Sequence, residues 1–410
     1  MDPENLKYLL LGVLVFGFLV RKTLGFLNVK NPVPEIPATL SQYLSTSKLE
    51  EAKAYQRENF RFKFLAGTFS FILTFLFIAL GWFGAIDSWV SAFGFAPLVK
   101  SLVFFGLIFV GSDLLSLPFD YYNTFVIEEK YGFNKTSIRT FFLDKVKGYL
   151  LSILVGGGLL LVFLWLIHRM GHHFWWQFWL VAAVFMVLVN LFYTAWILPL
   201  FNRLTPLEDG ELKHKILHYA RSVDFPLDNI FVIDGSKRSS KANAFFSGFG
   251  KRKKIVLYDT LLEQHPPDEL VAVLAHEVGH YKRKHIVSGM IISVLQVGLM
   301  LFLLSQFIFS ERMSLALGGQ AWSAELNIIG FTMLFTPISM VLGMGMNWLS
   351  RKNEFEADEF AKTTFSGEPL AEALKTLSVK TLSTINPHPW YVFVNYSHPP
   401  LLERLEKLEN

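Results

Sequence analysis

The sequence predicts a mostly α-helical, polytopic membrane protein whose water-facing part is assembled from separate stretches of chain. Three observations predict it: a composition too apolar to bury, seven apolar runs, and basic residues gathered on one side. Of 410 residues, 52% are apolar and 18% are charged, and Phe occurs 41 times. A soluble chain of this length has no interior large enough for so much apolar surface. The absence of cysteine excludes disulfide frameworks, thiolate metal sites, iron–sulfur clusters and thiol nucleophiles. A net charge of +4 is too small to point to nucleic acid, which is not expected as a partner; the placement of the charges is more informative.

The first run, 6–20, is short and contains Lys7. No charged segment precedes it and no small-residue cleavage site follows, so it reads as an uncleaved span rather than a signal peptide. Runs 64–86, 101–119, 149–167, 174–201, 286–310 and 326–350 can each cross about 30 Å of hydrocarbon as a helix. With the N-terminus outside, the inner segments are 21–63, 120–148, 202–285 and 351–410. Of the 38 Lys and Arg, only Lys7, Lys100, Arg169 and Arg312 fall outside them. Short flanks agree: Arg21-Lys22 and Arg351-Lys352 end spans, and Lys282-Arg283-Lys284 begins one. The chain therefore divides into a membrane region with five spans (1–201), an inner segment (202–285), two further spans (286–350) and an inner C-terminal segment (351–410). Pro118 and Pro337 are expected to kink their spans, and Gly156-Gly157-Gly158 to let neighbouring helices approach closely.

The strongest chemical pattern is Leu274-Ala275-His276-Glu277-Val278-Gly279-His280. Upstream, Pro266-Pro267-Asp268-Glu269 reads as a helix start, with acidic side chains at the positive end of the dipole. Leu270, Val271, Val273 and Leu274 give that helix an apolar face. His276 and His280 stand four residues apart, so both imidazoles project from one side about a turn apart. That spacing suits one shared Zn2+, and Glu277, roughly 100° round the helix, reaches a metal-bound water without binding the metal. A chance match on an amphipathic helix has the same five letters. Yet a buried helix with two His beside a Glu is expensive unless something offsets the polarity.

A catalytic zinc needs a third protein ligand and an open position. A third His six residues after His280 is absent, since Ile286 stands there. His285 lies about 140° round the helix from His280 and is expected to be a juxtamembrane surface residue. A carboxylate on a later helix is expected instead. Glu354 and Asp358, in Asn353-Glu354-Phe355-Glu356-Ala357-Asp358-Glu359-Phe360, share one face, with Glu356 opposite. One of the pair can bind zinc while the other accepts the Nδ1–H of a ligand His. An ordinary charged face below a membrane span has the same look.

These residues resemble the CAAX prenyl protease 1 family of membrane zinc metalloproteases. His276-Glu277-x-x-His280 and Ser350-Arg351-x-x-Glu354-Phe355-x-Ala357-Asp358 carry the resemblance. So do Asn243-Ala244-Phe245-Phe246-x-Gly248-Phe249, Lys254-Ile255-Val256-Leu257-Tyr258-Asp259-Thr260-Leu261-Leu262 and Tyr396-Ser397-His398-Pro399-Pro400-Leu401-Leu402-Glu403-Arg404-Leu405. It implies Glu354 as third ligand and Asp358 as its companion. It also implies seven helices enclosing a water-filled chamber and a gluzincin-like cytoplasmic metalloprotease part, a small β-sheet with helices. The implied reaction removes the last three residues of prenylated CaaX proteins, in the endoplasmic reticulum or a bacterial inner membrane. Membrane lipids and the C-terminal peptides of prenylated or membrane-associated proteins are the partners it implies. Some members clear unfolded membrane proteins, which leaves a quality-control protease as an alternative. A seven-helix transporter or scaffold without chemistry is the reading from another class; the intact set His276, Glu277, His280 and Glu354 weighs against it.

Segments 231–233 and 255–258 read as strands, with 243–249 a third joined to the last by the turn-like Gly250-Lys251-Arg252-Lys253. An exposed edge there can hold an extended peptide by strand addition. Asn243 resembles a family residue that contacts substrate backbone, or is a turn residue satisfying local amides. His398, extended before Pro399, resembles one that hydrogen-bonds the oxyanion, or is structural. Arg404 reads as a buried partner of the acidic helix rather than a catalyst. Asp113, Asn190, Gln296 and Asn327 inside the apolar runs suit either a wet chamber or helix–helix hydrogen bonds. His168, His172 and His173 read as an interfacial outer loop rather than a second metal site.

Overall fold

The structure is a computed structural model that describes residues 1–32, 36–247 and 253–409. Asp2 caps α1 (Pro3–Lys30) by accepting from the backbone N of Asn5 at 2.8 Å, and a proline opens its first turn. Ser45 does the same for α2 (Thr46–Ala79), which stops where Gly81 takes φ 70°. Helix α3 (Trp82–Ser91) then leads to α4 (Pro97–Tyr122), which widens into a π-type turn over Asn123–Glu128. Next come α5 (Ile138–Leu151), α6 (Gly157–Met170), α7 (Phe174–Phe192) and α8 (Leu198–Phe201). Among the described residues six helical stretches are long and apolar enough to cross a membrane. One of them, Ile138–Phe201, has 64 residues, about 96 Å if straight and three times the hydrocarbon thickness. It does not run straight. Gly171 takes φ 54°, a tight turn covers Gly171–His173, and Phe163 of α6 packs on Phe174 and Phe178 with ring centroids 5.6 and 4.7 Å apart.

The sheet holds β1 (Leu204–Pro206), β2 (Leu227–Ile233), β3 (Ala244–Ser247) and β4 (Lys253–Tyr258) in the order β1-β2-β4-β3. Strand β4 runs parallel to β2 and antiparallel to β3, so β3 is an edge. Residues 231–233 and 255–258 fall within observed strands. Gly248 and Phe249, and the expected turn at Gly250, Lys251 and Arg252, lie outside the described residues. Strand β1 was not anticipated, because three residues are too few to show a period. Helix α9 (Glu211–Ser222) lies between β1 and β2, and α10 (Asp259–Gln264) and α11 (Pro267–Lys282) follow β4.

Helix α12 (His285–Phe307), α13 (Glu311–Ala316), α14 (Ala324–Thr364), α15 (Gly367–Lys380), α16 (Pro389–Asn395) and α17 (Leu401–Glu409) complete the chain. Helices α4 and α14 carry through Pro118 and Pro337. Helix α14 has 41 residues, so the last apolar run and the acidic segment after it are one rigid element, about 60 Å long. One core joins Leu40, Leu44 and Leu49 near the chain start to Ile216, Leu257, Leu270, Leu274, Val278, Ala361, Leu370 and Leu405. Burying each Leu there stabilises by roughly 2 kcal/mol, which seats α11 between the sheet and the helices that follow the membrane.

Candidate metal centre

Helix α11 is buried along much of its length, with Leu270, Val271, Leu274, Ala275, His276, Val278 and Gly279 all inside. It crosses α14 closely because neither helix has bulk at the contact. A Cβ on Gly279 would lie 3.0 Å from Ala357 Cα and 3.1 Å from its carbonyl oxygen. Glu354 stands one turn before that contact and faces the His pair. His276 Nε2 and His280 Nε2 are 3.2 Å apart, Glu354 Oε2 is 3.5 Å from the first, and Glu354 Oε1 is 3.3 Å from the second. A tetrahedral ion with bonds of about 2.0–2.1 Å separates its ligand atoms by about 3.3–3.4 Å. Glu354 is also buried against both imidazoles, a carboxylate charge that a cation would offset. The donor set therefore fits a metal ion, and among the described residues it is the only such group of three.

Behind the ligands stands an ion pair. His276 Nδ1 is 2.8 Å from Asp358 Oδ1, and Arg404 of α17 donates to both oxygens of Asp358, Nε at 2.8 Å and Nη2 at 2.6 Å. Both partners are buried. With its Nδ1–H given to Asp358, His276 keeps its Nε2 lone pair for the centre. Burial alone would lower the His276 imidazole, but Asp358 and Glu354 push it up to about 9; a site that attracts a proton so strongly also attracts a metal cation. Burial pushes the Glu277 carboxyl up, against the pull of His276 and His280, as suits a proton acceptor working near neutrality. The Arg404 guanidinium is held charged by Asp358 against its own burial.

His398 Nδ1 lies 2.9 Å from Glu354 Oε2, with its side chain 66% exposed at the mouth of the site. Its segment is clamped to α14, where Arg351 Nη1 donates to the carbonyls of Val392 (3.1 Å) and Tyr396 (2.6 Å) and Asn347 donates to Val394. Arg351 and Asn347 thus hold the His398 segment, a role that no spacing in the sequence reveals. Asn243 is exposed at the start of the edge strand; its side chain accepts only from Ala244 N, at 2.9 Å, among the described contacts. The structure thus gathers His276, Glu277, His280, Glu354, Asp358, Arg404 and His398, and leaves Asn243 on the sheet edge, with α11 packed beside β3.

Two expectations need correction. His285 is not a surface residue: it is 8% exposed, its Nδ1 is 3.0 Å from His280 Nδ1, and its Nε2 is 3.2 Å from Glu356 Oε2. An offset of about 140° from His280 holds only along one continuous helix, whereas α11 ends at Lys282 and Lys284 turns left-handed at φ 59°. Gly156, Gly157 and Gly158 do not mediate close packing, since a Cβ on each would meet nothing within 4 Å. Of the polar residues in apolar runs, Asn327 is buried and donates to the carbonyls of Ile308 (2.7 Å) and Ser310 (3.0 Å), so helix packing accounts for it. Asp113 pairs with Lys145 at 2.8 Å and accepts from Tyr149 at 2.7 Å. On the far side His172 Nδ1 lies 2.7 Å from the Ser305 carbonyl, and the His168 ring packs edge-on to Trp322.

Comparison with known proteins agrees with this geometry. Residues 26–203 match the CAAX prenyl protease N-terminal family, described as five membrane helices, and residues 206–410 match peptidase family M48. The CAAX prenyl protease 1 of Saccharomyces cerevisiae is 35% identical over 403 residues, covering 92% of this chain and 88% of its own. The mouse CAAX prenyl protease 1 homolog is 34% identical over 453 residues, covering 97% and 95%. The crystal structure of S. mikatae Ste24p superposes with a TM-score of 0.94 at 32% identity over 99% of each chain. With both halves matched in order and along nearly their whole length, the chain belongs to the CAAX prenyl protease 1 family of M48 metallopeptidases.

Proposed function

We infer that this protein is an integral-membrane zinc endopeptidase that removes the C-terminal three residues of prenylated CaaX proteins. One observation carries the reading: ligand atoms of His276, His280 and Glu354 all lie within 4.8 Å of one another, backed by the Asp358–Arg404 pair. Two imidazoles and a carboxylate form the donor set of a hydrolytic zinc site. Zinc there supplies a polarised scissile carbonyl and a water acidic enough to attack near neutral pH. Glu277 takes the proton of the attacking water and returns it to the leaving amine. His398, at the mouth, donates to the oxyanion, worth on the order of 3 kcal/mol for a well-placed donor. Asp358, anchored by Arg404, keeps His276 in the tautomer that leaves Nε2 free. The open edge of β3, with Asn243 at its start, holds the peptide extended.

Seven crossings around an enclosed interior accommodate the prenyl-bearing end, the long Ile138–Phe201 stretch counting twice because it folds back at Gly171. The one-sided basic residues put the site on the cytoplasmic face of the endoplasmic reticulum or a bacterial inner membrane. Purified protein incubated with a farnesylated CaaX peptide is expected to release the tripeptide, and a chelator to stop it. Equal cleavage of the unmodified peptide would instead favour a quality-control protease. Full activity in Glu277→Gln would remove Glu277 from the mechanism.

A further inference from the structure

His276 and His280 both turn Nε2 towards the metal centre, but different groups stand behind them. Behind His276 is a carboxylate, Asp358, in direct contact with Nδ1. Behind His280 is a third imidazole, and the carboxylate of Glu356 comes one ring further out. Chemistry assigns the protons along this second line. A His that gives Nε2 to a metal carries its proton on Nδ1, so His280 donates to His285 Nδ1 at 3.0 Å. His285 must then be the tautomer with its proton on Nε2, which points at Glu356 Oε2 3.2 Å away. Position supports that assignment. His285 is buried, it opens α12 directly after the left-handed Lys284, and its carbonyl accepts from Ser288 Oγ at 3.0 Å. Glu356 lies nearer solvent, 3.8 Å from Lys352.

We propose that His285, itself fixed by Glu356, is the positioning residue of His280, holding that imidazole in the tautomer and rotation the metal centre needs. The role ties the first turn of a membrane helix to the centre, so that α12 and α14 both orient it. It rests on the metal-centre reading above.

The test uses the full chain in detergent, loaded with zinc for metal retention under chelator and with cobalt(II) for its visible absorption. Loss of a partner behind a ligand His typically costs 10–100-fold in metal affinity, so His285→Ala and His285→Phe are expected to release metal about 10–100-fold faster, with an altered cobalt spectrum. His285→Asn keeps an acceptor where Nδ1 stands and is expected to stay within about threefold of the parent. Glu356→Ala gives the same change in smaller measure. Melting of the metal-free proteins separates these effects from misfolding. If His285→Ala fails to fold, the Asn and Phe variants, one with an acceptor and one without, still decide. Parent-like retention and an unchanged cobalt spectrum in His285→Phe overturn the proposal. A parent protein that binds neither zinc nor cobalt overturns the metal-centre reading itself, and this role with it.

Discussion

Glycine is used in opposite ways at the metal centre and along the membrane helices. Where α11 crosses α14, Gly279 is pressed against the backbone of Ala357 and the Cβ of Phe360, 3.1 Å from where its own Cβ would be. In the spans, Gly12, Gly106, Gly111, Gly157 and Gly343 would each meet nothing within 4 Å. Tight packing returns at the far end, where Gly84 lies against the backbone of Gly318 and Gly319. Polar groups gather there too: Ser323 Oγ reaches Asp87 at 3.0 Å and Glu325 at 2.7 Å, Ser101 reaches Glu325 at 2.6 Å, and Lys100 pairs with Asp87 at 2.8 Å. The closest backbone approaches are at these two ends, while between them Gly298 of α12 packs on the Trp179 ring.

The contrast can be broken from the chemical end first. Glu277→Gln is expected to lower kcat by about 10³-fold, within the usual range for losing a proton-transfer group, while metal content by elemental analysis stays at the parent level. Lost metal would mean that Glu277 shapes the site instead. Next in size, Arg404→Met leaves the buried Asp358 charge without its partner and is expected to cost about 3 kcal/mol of stability, read as thermal unfolding in detergent. Gly279→Ala forces α11 and α14 apart and is expected to cost about 1–3 kcal/mol, with weakened metal retention. Gly157→Ala, in the open part of the bundle, should shift stability by no more than about 0.5 kcal/mol. Equal effects of the two alanines would erase the distinction between the regions.

The centre also predicts a dependence on pH. Because His276 titrates near 9 in the metal-free fold against 6.5 unperturbed, its contribution to stability is fully present below 6.5. It is lost as pH rises through 9. The melting temperature of the chelated protein should therefore fall across that interval, and metal should flatten the slope by taking the place of the proton. A chelated protein that melts higher at pH 9 than at pH 6.5 would contradict the carboxylate-held imidazole seen in the structure.

Much of the site was legible because its information is local. The four-residue spacing of His276 and His280, and of Glu354 and Asp358, is a property of any α-helix, and chemistry restricts what two imidazoles beside a carboxylate can hold. The apolar runs were legible for the same reason, although their ends were not. Charged residues at Lys48, Lys53, Arg57 and Arg61 lie on the same continuous helix as the apolar run after them, and a hydropathy window cannot tell an inward extension from a separate helix. His285 was misjudged by one residue's backbone: at φ 59° Lys284 redirects the chain, and no periodicity argument survives such a turn.

From its own letters the sequence determined the class of the molecule and the residues able to grip a cation, since hydropathy and helical spacing belong to short stretches. Tertiary structure alone decided that Glu354 faces the imidazoles while Asp358 backs His276 onto Arg404. It alone decided that His285 stands behind His280, and that Leu40, Leu44 and Leu49 complete the core around α11. Those outcomes depend on how closely two helices distant in the chain can approach, and the missing side chain of Gly279 sets that distance only after the chain has folded.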